Sequence, residues 1–236
     1  MRYQLQRWGW QALDLVFPPV CGGCGQSGQR WCAKCQASVK RLQPPLCDRC
    51  GQTIKNSGLC ERCQQASPSF VKTRSWAEFS GPLREAVHSY KYQRNLGMAE
   101  IFANCLSAYL LELGWSVALI VPVPLGKERH HQRGYNQAAL MAHWLALSAQ
   151  IPYNDRSLQR VRETQSQVGL STRERKQNVF GAFKVHGNGV LGKDILLVDD
   201  VMTSGATLNA CADALLAAGA HQVFGLTLAR AVLPAS

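Results

Sequence analysis

ILLVDDVMTSGATL, residues 195–208, runs four aliphatic residues into two adjacent carboxylates and then into a loop of small, hydroxyl-bearing residues. With Asp194 in front, DILLVDD predicts a buried strand bounded by Gly192 and by the loop after Asp200. Residues 207–218 carry helical apolar spacing and stop at Gly219, so a helix follows. In an α/β sheet a strand–loop–helix unit takes its ligand at the carboxyl end of the strand. There Val201, Met202, Thr203, Ser204, Gly205, Ala206 and Thr207 lead into the helix, whose N-terminal N–H groups and positive dipole end attract phosphate. Small residues let the backbone approach closely, and the hydroxyls of Thr203, Ser204 and Thr207 add donors. Asp199 and Asp200 do not suit that phosphate, because like charges repel. They suit sugar hydroxyls, or a magnesium ion with its waters. The expected ligand is a sugar with vicinal hydroxyls and a phosphate one loop away. The bland alternative is a buried strand ending in a solvated acidic turn.

Outward from that stretch the pattern is alternating. Residues 82–113 read as one or two helices, VALIVPVPL (117–125) as a short buried strand ended by prolines, 136–148 as a helix, and HQVFGLTLA (221–229) as a closing strand. Strands alternating with helices predict an α/β fold with a mostly parallel sheet. The segment GNGVLGKD (187–194) has the glycine spacing of a nucleotide-binding P-loop, but Asp194 replaces the required Ser or Thr and the stretch precedes a strand.

Before residue 70 the composition is different. Eight of the ten cysteines fall in four Cys-x-x-Cys pairs: Cys21/Cys24, Cys32/Cys35, Cys47/Cys50 and Cys60/Cys63. Each such turn offers two thiolates, so two turns close a tetrahedral zinc site. Disulfides need an oxidising compartment, and a redox Cys-x-x-Cys is not repeated four times in tandem. The spacing therefore predicts two structural zinc ions, one on Cys21, Cys24, Cys32 and Cys35, the other on Cys47, Cys50, Cys60 and Cys63. A segment this poor in apolar residues needs the metal to fold. Cys105 and Cys211 lie in apolar helical stretches and read as core residues. We divide the chain into an N-terminal helix and double zinc ribbon, residues 1–68, and a second domain, residues 69–236. Leu5, Trp8, Leu13 and Phe17 are the apolar side of the N-terminal helix, which lacks the form of an export signal, so a cytoplasmic protein without a membrane span is the expectation. The formal charge is +11, and two tetrathiolate zinc centres lower it to about +7. That basicity suits anionic partners.

Residues 195–208 resemble the phosphoribosyl-pyrophosphate (PRPP) motif of type I phosphoribosyltransferases. With the tandem ribbons, PVPLGKERHHQRGYNQ (122–137) and TQSQVGLSTRERKQNVFGAF (164–183), the chain resembles the ComF/GntX family of competence-associated proteins over nearly its whole length. The resemblance implies a type I phosphoribosyltransferase fold. It implies that Asp199 and Asp200 hold the ribose hydroxyls and residues 203–207 the 5′-phosphate of PRPP, with Mg2+. It also implies a pyrophosphate loop of Val123, Pro124, Leu125, Gly126 and Lys127, with Arg129 and Arg133 neutralising the diphosphate. Residues 164–176 would form a hood, from which Arg173, Arg175 and Lys176, together with Arg162, close on diphosphate or on a nucleic-acid strand.

The basic stretch 156–176 holds six Arg or Lys against two Glu, and Trp31 on the first ribbon offers a ring for base stacking. His130 and His131 read as solvated or phosphate-facing. Two functions follow. One is phosphoribosyl transfer to a nitrogen acceptor that no residue identifies, in DNA uptake or nucleic-acid metabolism alongside other uptake proteins. The other is a non-catalytic single-stranded DNA-binding accessory protein in which the PRPP site is a sensor or relic.

Overall fold

The computed structural model describes residues 18–162, 174 and 178–231. The N-terminal helix and the hood residues Arg173, Arg175 and Lys176 lie outside the described residues. A short helix occupies the second cysteine turn of each ribbon, α1 (Ala33–Ala37) in the first and α2 (Glu61–Gln65) in the second. The larger part comprises β1 (Lys72–Glu78), α3 (Gly81–Tyr92), α4 (Met98–Leu113), β2 (Leu119–Pro122), α5 (Lys127–Arg133), α6 (Gln137–Ala149), β3 (Leu158–Arg160), β4 (Phe183–Val185), β5 (Asp194–Met202), α7 (Ala206–Ala217) and β6 (Gln222–Arg230).

The main sheet has the order β1-β6-β5-β2, and its described pairings are all parallel. β5 is the hydrophobic run at its centre: Ile195, Leu196, Leu197 and Val198 are all buried, because helices cover both faces. Leu196 and Val198 pack with α4 and α6, whereas Ile195 and Leu197 pack with α7 and the second ribbon. β5 is longer than DILLVDD predicts. It runs on to Met202, because Val201 and Met202 still pair with Ala229 and Arg230 of β6. β1 has no aliphatic run to announce it; its Thr73 and Ser75 are buried with their hydroxyls bonded, Ser75 to Thr227 at 2.7 Å and Thr73 to the Cys50 carbonyl at 3.0 Å. The antiparallel pair β3–β4 is a separate two-stranded sheet.

The two ribbons attach at different places. The first lies on α3: a Cβ on Gly22 would meet Ser89 Oγ at 2.9 Å, and one on Gly23 would meet Pro82 at 2.9 Å and Trp31 at 2.8 Å. Trp31 is thus partly buried against this contact and the main core, which corrects its reading as a free stacking platform. The second ribbon is fused to the start of β1 and, through Arg230, to the end of β6. The Thr73 N–H donates to Arg49 O at 2.7 Å, and Gly51, at φ +67°, lies where a Cβ would be 2.6 Å from Thr73 O. Both a positive φ and this approach demand glycine there.

Candidate functional site

The two carboxylates lie near the carboxyl end of β5, and strand alternation sends them to different surroundings. Asp200 is buried, and Lys91 Nζ from the end of α3 lies 2.9 Å from its Oδ1. Its Oδ2 is also buried and has no hydrogen-bond partner among the described residues. Asp199 keeps contact with solvent, yet the protein around it and the charge of Asp200 push its carboxyl up to about 7, against the pull of Lys91, the Asp200 N–H and Arg133. Its charge in turn adds to burial in raising the Cys211 thiol on α7.

After Met202 the chain turns into α7. Gly205 is the N-cap at φ +81°, a left-handed conformation that favours glycine, and it lies close against the Met202 side chain. Ser204 Oγ accepts the Ala206 N–H at 3.4 Å. The loop thereby presents small residues and the first N–H groups of a 12-residue helix.

Joined to Asp200 through Lys91 is a cationic cavity of about 190 Å³, lined by Lys91, Tyr92, Arg94, Arg129, Gln132 and Arg133. Arg133 stacks on Tyr92 at 5.3 Å and bonds Gln137 Oε1. Val123 anchors the preceding loop by donating to Val198 O at 2.9 Å, and Asn136, the cap of α6, bonds Val123 O at 3.0 Å. This joins Arg129 and Arg133 to the carboxylate strand. Lys127 opens α5 and is exposed, with Pro124 and Leu125 half-buried and Gly126 buried before it. His130 and His131 are both exposed. Arg162 Nη2 donates to the carbonyls of Asn178 at 3.0 Å and Phe180 at 2.6 Å, tying together the two ends of the segment between them. Lys91 and Arg94 belong to this constellation, and sequence reasoning missed them. The signal was SYKYQRN at the end of an amphipathic helix.

Both cysteine sets converge, each with its four sulfurs within 4.8 Å of one another. Cys24 and Cys32 sulfurs are 3.8 Å apart, and Cys50 and Cys60 sulfurs 3.7 Å. A tetrahedron with metal–sulfur bonds of ~2.3 Å has edges of about 3.8 Å, while a disulfide measures ~2.05 Å. Backbone N–H groups point at the sulfurs, Cys32 at Cys21 (3.4 Å) and Cys60 at Cys47 (3.3 Å). Burial opposes ionisation at Cys21 and Cys47, but these and neighbouring N–H groups bring each thiol down to about 6. Cys35 and Cys63 go the other way, raised by burial and by the sulfurs beside them. Four thiolates so close need a dication, and the residues fit structural zinc. Arg230 is buried against the second centre: Nη1 donates to Cys50 O at 2.7 Å and contacts Met202 Sδ at 3.2 Å, and Nη2 lies 3.8 Å from Cys50 Sγ.

A double zinc ribbon family model matches residues 12–64, and a phosphoribosyl transferase domain model matches residues 134–231. The chain is 34% identical over 223 residues to the DNA utilization protein YhgH of Salmonella typhimurium, covering 89% of this chain and 96% of that one. It is 32% identical over 208 residues to Competence protein F of Haemophilus influenzae, covering 85% and 90%. To Competence protein ComFC of Bacillus subtilis it is 27% identical over 229 residues, covering 94% and 89%. Two four-cysteine sites on tandem ribbons, joined to a type I phosphoribosyltransferase fold and matched almost end to end by these relatives, mean that the chain belongs to the ComF/GntX family.

Proposed function

We propose that the protein binds PRPP with Mg2+ at the end of β5 and acts in DNA uptake or nucleic-acid metabolism, with single-stranded DNA as a macromolecular partner. The observation that carries the binding reading is the order of charges along the site. The cavity of Lys91, Arg94, Arg129 and Arg133 meets Asp200 through the Lys91 ion pair, and the loop of residues 203–207 continues directly from the carboxylate strand into α7. A molecule with a diphosphate at one end, two hydroxyls in the middle and a phosphate at the far end matches that order. The unpartnered Oδ2 of Asp200 supports it, since a ribose hydroxyl is a donor of the kind that Lys91, bound to Oδ1, does not supply there.

In this reading Asp199 and Asp200 accept from the ribose hydroxyls and hold magnesium through its waters. The metal, when bound, neutralises the diphosphate leaving group. Arg129, Arg133 and Arg94 fix the same group from the protein side, and the N–H groups of residues 203–207 hold the 5′-phosphate. Transfer to an acceptor then depends on positioning. The DNA role rests on the formal charge of +11 and on relatives named for DNA utilization and competence.

Calorimetric titration of magnesium–PRPP into the zinc-loaded protein tests the binding reading. Saturable binding that is lost in the Asp199→Asn/Asp200→Asn double variant is expected. Absence of binding by the intact protein refutes it. Salt-sensitive capture of single strands that survives in the double variant would then favour the accessory-protein reading.

A further inference from the structure

Among the described residues, the second zinc ribbon reaches the loop of residues 203–207 and the first does not. Arg62, in α2, lines a small cavity together with Thr203 and Arg230. It also lines a second, larger cavity of about 570 Å³, whose wall includes Ser204, Gly205 and Ala206. A side chain that borders both cavities flanking a loop stands beside that loop. Arg62 is half-buried and makes no side-chain hydrogen bond or ion pair among the described residues. The acidic residue sharing the larger cavity, Asp213, is already engaged by Ser69 and by Asn209.

Arg62 is held by the metal centre itself, since it lies between the ligands Cys60 and Cys63. Arg230 extends the link, because its guanidinium joins the Cys50 carbonyl to the Met202 sulfur, one residue before Thr203. The first ribbon has the same local sequence logic, with Lys34 between Cys32 and Cys35, but that ribbon packs on α3. Lys34 is exposed and borders neither cavity.

We infer that Arg62 is a phosphate-binding residue of the 5′-phosphate site, supplied by the second zinc ribbon, so that zinc in the Cys47, Cys50, Cys60 and Cys63 site sets the affinity for the 5′-phosphate end of the ligand. This rests on the reading of residues 203–207 as the phosphate cradle. A guanidinium matches phosphate with two parallel N–H donors, which the loop's own N–H groups and hydroxyls leave room for. The two zinc sites therefore differ in role: the second is coupled to ligand binding, and the first holds α3.

The test uses the full-length, zinc-loaded protein with ribose 5-phosphate, magnesium–PRPP and magnesium pyrophosphate as separate probes. Arg62→Gln is compared with Lys34→Gln, which removes the same charge from the matching position of the other ribbon. Zinc content is measured for each. Arg62→Gln is expected to weaken ribose 5-phosphate and PRPP binding about tenfold, one charge-assisted contact, and to leave pyrophosphate binding unchanged. Lys34→Gln is expected to bind all three probes as the parent does. Equal weakening by both variants means general electrostatics and overturns the inference, as does parent-like affinity of Arg62→Gln. Failure of the parent to bind ribose 5-phosphate sinks the cradle reading along with it. If Arg62→Gln holds fewer than two zinc ions, the decision passes to Arg62→Met, which keeps the apolar stem, and the same outcomes apply.

Discussion

Lys91 Nζ lies 2.9 Å from Asp200 Oδ1, with the lysine side chain 19% and the aspartate side chain 5% exposed. The ion pair joins the end of α3 to the end of β5 inside the site. The two partners are unequal, because Lys91 can turn to water and Asp200 cannot. Lys91→Met should destabilise the protein by about 3 kcal/mol, the cost of stranding a buried charge. Asp200→Asn should cost less, and the double variant should recover most of the loss. Urea unfolding of the four proteins checks the cycle, and additive single effects would show that the two groups do not interact.

Asp199 gives the protein a pH dependence of definite sign. Its carboxyl is raised to about 7 by burial and by Asp200, whereas the unfolded chain loses that proton near about 4. Between those values the folded state binds more protons than the unfolded state. This group's contribution to stability therefore falls as pH rises from about 4 to about 7, and stays low above it. Asp199→Asn should raise the Tm by several degrees at about pH 8 and change it little at about pH 4. If magnesium–PRPP binds through the Asp199 carboxylate, as proposed above, binding at about pH 6 should release protons, visible as a buffer-dependent calorimetric heat.

Arg94 and Arg129 enclose the cationic cavity without being part of its structural ties, unlike Arg133. Arg94→Gln and Arg129→Gln should each weaken magnesium pyrophosphate binding about tenfold and reduce its salt dependence. Ribose 5-phosphate affinity should stay as in the parent. A titration series at two ionic strengths separates the outcomes.

Arg230 sits as a counter-charge against the second metal centre. Replacing an outer partner of a metal ligand commonly costs ~10–100-fold in metal affinity. Arg230→Met should therefore surrender one zinc ion per chain to a chromogenic chelator at a lower chelator concentration than the parent, while the other zinc ion is retained as before. Simultaneous loss of both ions would contradict a selective role.

The parts legible in sequence were those where local chemistry dictates structure. Ile195 to Val198 are an unbroken aliphatic run that only a doubly covered strand accommodates, and four Cys-x-x-Cys turns have one common explanation in zinc. β1 was illegible because its KTRSWAE sequence buries hydroxyls that find partners only in the folded protein: Thr73 on Cys50 and Ser75 on Thr227. Lys91 and Arg94 were illegible for a related reason. Over a hundred residues separate them from Asp200, and α3 alone gives no sign of which strand end its last turn will meet. Arg62 reads in sequence as one more basic residue of a ribbon, since nothing there says where a ribbon docks.

The strand order carries a consequence for synthesis. β6 follows β1, β2 and β5 along the chain, yet it lies between β1 and β5 and pairs with both. A nascent chain emerging N-terminus first exposes a metal-loaded ribbon whose docking strand still lacks its neighbour. Until β6 leaves the ribosome, the sheet stays split into two halves with open inner edges, the kind of edge that invites pairing with another chain. The ribbons can take up metal early, but the β1 and β5 halves can be joined only after translation has passed Arg230.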